Sequence, residues 1–105
     1  MKTKFIISIS LYDDELNEST KEGFVTELTD ILRIPYPDHI SYSPSKYIGS
    51  LELGFEDQTE STIMQVYERL LSSASEHTKL HLIRLDNNDS IIREDSGKNK
   101  LVCLI

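Results

Sequence analysis

The sequence predicts an α+β domain: a two-layer sandwich in which a mainly antiparallel sheet carries two helices on one face. Three observations predict it. Several short segments alternate apolar and polar residues, two longer ones repeat apolar residues at helical intervals, and polar turns separate them. Each helix has one apolar stripe, so both can cover the same side of a sheet.

The first strand sets Phe5, Ile7, Ile9 and Leu11 on one side and Ile6, Ser8, Ser10 and Tyr12 on the other. An acidic turn follows. Ser19 and Glu22 then have capping-box spacing, and Phe24, Val25, Leu28, Ile31 and Leu32 recur helically, predicting a helix over Thr20 to Leu32. Pro35 and Pro37 forbid its continuation, and Gly23 within it costs up to about 1 kcal/mol relative to alanine. "HISYS", stopped by Pro44, suits an edge strand. "YIGSLELGFE" places Tyr47, Gly49, Leu51, Leu53 and Phe55 on one face. Asp57 and Glu60 repeat the cap spacing, and Ile63, Val66, Tyr67, Leu70, Leu71 and Ala74 trace a second helix. The remainder reads as "KLHLIRL", "SIIRE" and "KLVCLI", strands parted by "DNND" and "DSGKN".

The chain has 105 residues, enough for a single domain spanning 1–105. About two-thirds of the unfolded surface of such a chain is removable from water, which supports a core without staples. The one cysteine, Cys103, makes no internal disulfide and reads as a small buried hydrophobe. The segment "MKTKFIISISLYDD" reads as a strand rather than a secretion signal, because serines interrupt its apolar run and acids follow it. No apolar run approaches the roughly 18 residues of a membrane span. A cytoplasmic location is the expectation.

The order βαββα followed by a strand resembles the split βαβ order of the ferredoxin-like superfold, with a C-terminal hairpin as an extension. That resemblance implies an architecture and no activity.

No stretch carries a specific catalytic or cofactor motif. Counted as a calcium loop from Asp13, the chain offers Glu15 and Asn17. It then places Glu18 where glycine is needed and Phe24 where the bidentate glutamate belongs. "DNNDSIIREDSG" fails at the same two positions. His39, His77 and His81 lack the spacing of a transition-metal site; His77 reads as a helix C-cap and His81 as a half-exposed strand position. Ser43-Pro44-Ser45-Lys46 has Ser-x-x-Lys spacing with nothing else to support a nucleophile. The expectation is a protein that is not an enzyme and uses no metal or cofactor.

The distribution of acids is more informative. Between Tyr12 and Asp30 stand seven acids and one base, and Glu52, Glu56, Asp57 and Glu60 lead into the second helix without an intervening base. Acids in a first turn gain about 0.3–1 kcal/mol each from the helix dipole, but Glu18 and Glu22 repel at i, i+4, and Glu27 and Asp30 lie beyond the dipole's reach. More acids stand here than helix stability uses. If the two helices were parallel, both acidic starts would lie at one end of the sheet. The net charge of −7 argues against a nucleic acid or an anionic membrane as partner and favours a basic protein, although solubility alone also explains an acidic surface.

In size, charge and lack of motifs the chain resembles small bacterial immunity proteins, such as those of contact-dependent growth inhibition systems. The resemblance implies one-to-one neutralisation of a toxin domain, often a basic nuclease. The expected partner surface comprises Tyr12, Asp13, Asp14, Glu15, Glu18, Glu22, Glu56, Asp57 and Glu60, with Tyr36, Tyr42 and Tyr47 as further aromatic anchors. Two other readings are an anti-defence or nucleic-acid-mimicking inhibitor, and a small-molecule-binding regulatory domain of ferredoxin-like type.

Overall fold

The computed structural model describes residues 4–11, 16–43, 49–73, 78–85 and 90–96. Among them the chain forms β1 (Phe5–Leu11), α1 (Lys21–Leu32), β2 (His39–Ser43), β3 (Gly49–Phe55), α2 (Glu60–Ser73), β4 (Lys79–Arg84) and β5 (Ser90–Ser96). The fold is α+β, with one five-stranded sheet in the order β2-β3-β1-β4-β5. Every pairing is antiparallel. β2 lies at the edge of this sheet, as its short length and following proline predict.

Alternation in the strands decides where the core sits. Phe5, Ile7 and Ile9 lie opposite Phe55, Leu53 and Leu51 on one side of β1, and Ile7 and Ile9 lie opposite Leu82 and Leu80 on the other. All eight side chains are buried. Phe24, Val25 and Leu28 of α1 and Ile63, Val66, Tyr67 and Leu70 of α2 join the same cluster. Burying one such side chain contributes roughly 1.5–3 kcal/mol. The Tyr67 hydroxyl remains satisfied inside the core by donating to the Leu80 carbonyl oxygen at 2.8 Å. On the opposite sheet face Ile6, Ser8, Ser10, Glu52, Gly54, His81 and Ile83 are only half-buried.

The helix ends depart from expectation. Ser19 does not cap α1; Asn17 does, one turn before Lys21. Its Oδ1 accepts the N–H groups of Ser19 and Thr20 at 2.9 and 3.2 Å, and its carbonyl accepts that of Lys21 at 3.0 Å. The Asn17 N–H in turn donates to Thr20 Oγ1 at 2.9 Å, completing a reciprocal box between Asn17 and Thr20. Burial of Leu16 anchors the chain immediately before Asn17 at this entry. At α2 the cap is Thr59, whose Oγ1 accepts the Thr62 N–H at 3.2 Å; Asp57 stands too far upstream to cap Glu60–Ser73.

The end of α1 differs too. Ile31 is 51% exposed although the stripe includes it, while Thr29 and Ile34 are buried. Arg33 enters the left-handed region (φ 55°), where its N–H caps Thr29 and the chain folds back to bring Ile34 inward. α1 has no base in its last turn. Arg69 of α2 supplies one, donating to the Leu32 and Arg33 carbonyls at 3.1 and 2.7 Å. Gly23 has no packing role: a Cβ there would meet nothing within 4 Å.

β5 runs through Ser96, so the first two residues of the expected "DSGKN" turn belong to a strand. A register shift opposite Leu82 and Ile83 sets Arg93 against Leu82 and Ile91 against Ile83, leaving Ile92 as the extra residue of a bulge. Arg93 thereby lies over the Tyr67 ring, 5.1 Å from its centroid, and pairs with Glu68. Tyr12, Tyr47, Ala74, His77, "DNND" and "KLVCLI" lie outside the described residues.

The cap assignment can be measured. Asn17→Ala should lower unfolding free energy by about 1 kcal/mol in urea titration, whereas Ser19→Ala should change it by less than about 0.5 kcal/mol. The reverse order would restore the Ser19 cap.

Candidate functional site

Of the expected partner surface, Tyr12, Asp13, Asp14 and Glu15 lie outside the described residues. Glu18 and Glu22 are exposed at the start of α1; Glu56, Asp57 and Glu60 stand at the start of α2. The expectation that these two groups share an end is overturned. β1 feeds α1 from its Leu11 end, which lies opposite Gly49, while β3 feeds α2 from its Phe55 end, opposite Phe5. The two helix starts therefore sit at opposite ends of strands about 20 Å long. Antiparallel pairing of β1 and β3 is the cause.

The two groups also differ electrostatically. At the α2 end, Glu56 is 3.4 Å from Lys4 Nζ and 3.2 Å from His39 Nε2, and Glu60 pairs with Arg84. Arg84 also stacks over Phe5, 5.9 Å from the ring centroid. Asp38 holds this corner, accepting the Glu56 N–H at 2.8 Å while its own N–H donates to the Gly54 carbonyl at 2.8 Å. The hydrogen bond from His39, followed by that from Lys4, keeps the Glu56 carboxyl below the usual carboxylate range. On α1, Glu18 pairs with Lys21, the only base of that helix. Glu22, Glu27 and Asp30 are exposed, and no base on the helix balances them.

Sequence reasoning missed a second feature. A pocket of about 280 Å³ opens where β1, β2 and β3 meet, lined by Lys4, Ile6, His39, Ser41, Glu52, Gly54, Glu56 and Leu85 together with Phe5 and Phe55. Register creates it. His39 and Ile6 flank Gly54 in one cross-strand row, and Ser41 and Ser8 flank Glu52 in the next. Gly54 lets the His39 side chain pack across its backbone: an added Cβ would come within 3.2 Å of His39 Cβ, tighter than ordinary contact. The signal in the sequence was a lone glycine inside a strand, which marks close approach to another group.

His81 is half-buried on the same sheet face, 3.5 Å from Glu94 Oε2. Tyr36 is exposed, while Tyr42 is half-buried and packs against the core over Gly49. Among the described residues there is no helix long and apolar enough to cross a membrane, and no group of three or more metal-ligating side chains. Compared with known proteins, the chain matches no family model, no curated protein and no solved structure.

The paired state of Glu56 has a pH signature. A carboxyl depressed in the folded state contributes stability that is intact above the ordinary carboxylate range and lost as pH falls through its folded value. Between pH 7 and pH 3, the urea midpoint of Glu56→Gln should fall less than that of the native chain. An identical fall in both would exclude a stabilising role for this carboxylate.

Proposed function

We propose that the chain is a protein-binding domain that neutralises a basic partner, a toxin domain of the kind countered by bacterial immunity proteins. The architecture is read as ferredoxin-like, its β4-β1-β3-β2 core extended by β5. The observation that carries the functional reading is the charge imbalance on α1. Glu22, Glu27 and Asp30 are exposed on a helix whose only base is already held by Glu18.

Stability does not account for that arrangement. Glu27 and Asp30 lie past the first turn, where a negative charge gains little from the helix dipole, and Asp30 approaches the end that favours cations. A surface evolved to hold phosphates is cationic, and an acidic face accelerates its capture. Steered association reaches 10⁸–10⁹ M⁻¹s⁻¹ at low salt, as an order of magnitude. Asp13, Asp14 and Glu15 precede α1 in sequence and add three acids to the segment before it. Glu56 and Glu60 are excluded from it, because they stand at the other end of the sheet and have cationic partners within the chain.

The test begins by asking whether a toxin domain is encoded beside this chain. The absence of such a gene would count against the neutralising function; a domain found there supplies the partner. Co-expression should protect cells from that domain. Reversal of Glu22, Glu27 and Asp30 to lysine should slow association at least tenfold in stopped-flow measurements at low salt, with little change in thermal stability. Absence of protection removes the neutralising function; protection with unchanged association rates removes α1 from the interface.

A further inference from the structure

We propose that the pocket between β1, β2 and β3 binds a guanidinium group, with Glu52 as its anion. This inference concerns a different surface from the α1 face and does not depend on it. Among the described residues the Glu52 carboxylate has no hydrogen-bond or ion-pair partner, although the residue is half-buried within the sheet. The basic side chains that line the pocket, Lys4 and His39, are instead held by Glu56. The Ser8 hydroxyl is directed to Ser50 Oγ at 3.3 Å, which leaves Ser41 as the hydroxyl beside Glu52 in the pocket. A carboxylate and a hydroxyl therefore share the hollow with the apolar side chains of Ile6 and Leu85 and with the group of Lys4, His39 and Glu56, whose charges are paired among themselves.

The shape selects among cations. Gly54 adds no side chain between His39 and Ile6, and the His39 side chain packs against it, so a planar cation entering here would lie beside the imidazole. Guanidinium presents paired N–H donors that match one carboxylate bidentately, and it sheds water more readily than an ammonium. Its methylene stem can rest on Ile6 and Leu85 as the head reaches Glu52. A volume of about 280 Å³ lies at the small end of ligand sites, which fits one such group with its stem rather than a larger cofactor.

Two sources carry this chemistry, a free guanidino amine and an arginine side chain on a protein surface, and one titration distinguishes them. The full chain, followed by amide resonances, is titrated separately with agmatine and with the blocked amides of arginine, lysine and norleucine. Arginine amide should cause saturable shifts at Ile6, Glu52 and Gly54, lysine amide should bind at least fivefold more weakly, and norleucine amide should cause none. Glu52→Gln should weaken binding at least tenfold with the remaining spectrum unchanged, and Gly54→Ala should weaken it by displacing the His39 side chain that packs there. Tighter binding by arginine amide than by agmatine supports the site and assigns it to a protein partner; the reverse supports it and assigns it to a small metabolite. No saturable shift at millimolar ligand, equal response to lysine and arginine, or indifference to Glu52→Gln would overturn the proposal. Charge reversal on α1 should leave this titration unchanged, so the two surfaces can fail separately.

Discussion

The structure depends on β1 being apolar along one side and bonded along both edges. Its three buried side chains meet β3 across one ladder, and two of them meet β4 across the other. The covered face is therefore specified from the centre outward, because slipping either ladder by one residue would exchange isoleucines for serines. The helices add their stripes to that face, and the Tyr67 hydroxyl bonds the backbone of β4 from within it. Ile6, Ser8 and Ser10 are the other half of the same alternation, so the pocket face and the core have one origin in the sequence.

Strand polarity then controls the surface electrostatics. Because β1 and β3 run in opposite directions, their helices begin at opposite ends, and the dipole of one helix opposes that of the other. Arg69 exploits this arrangement: a base on α2 terminates α1, where the last turn has none of its own. The acids divide accordingly. Those near α2 are absorbed by Lys4, His39 and Arg84, whereas those along the outer side of α1 remain for solvent or a partner.

Much of the architecture was legible because it rests on periodicity. The alternation of "FIISISL" and "GSLELGF" and the apolar spacing of α2 place nearly all the described core. What was not legible involves a choice among equals or a contact distant in sequence. "NEST" contains three residues able to cap, and the one that does, Asn17, follows the buried Leu16. Ile31 and Ile34 exchange places because one left-handed residue turns the chain. The candidate surfaces divide along the same line. Exposure of Glu18, Glu22, Glu27 and Asp30 follows from the position of the apolar stripe. The separation of the two acidic groups needs strand direction, and the juxtaposition of Glu52, Ser41 and Gly54 needs register between three strands. Neither quantity is local.

The bulge in β5 has its own consequence. Counting one residue twice against β4 changes the phase of the strand, so Arg93 reaches the aromatic side of the sheet while Ile91 emerges on the other, beside Ile83. The row from His39 through Gly54, Ile6 and Ile83 is thereby prolonged by an isoleucine that is 54% exposed. A strictly alternating β5 that kept Ile92 would set it opposite Ile83 and turn Ile91 inward, opposite Arg84. The bulge therefore chooses which of two adjacent isoleucines ends the apolar row.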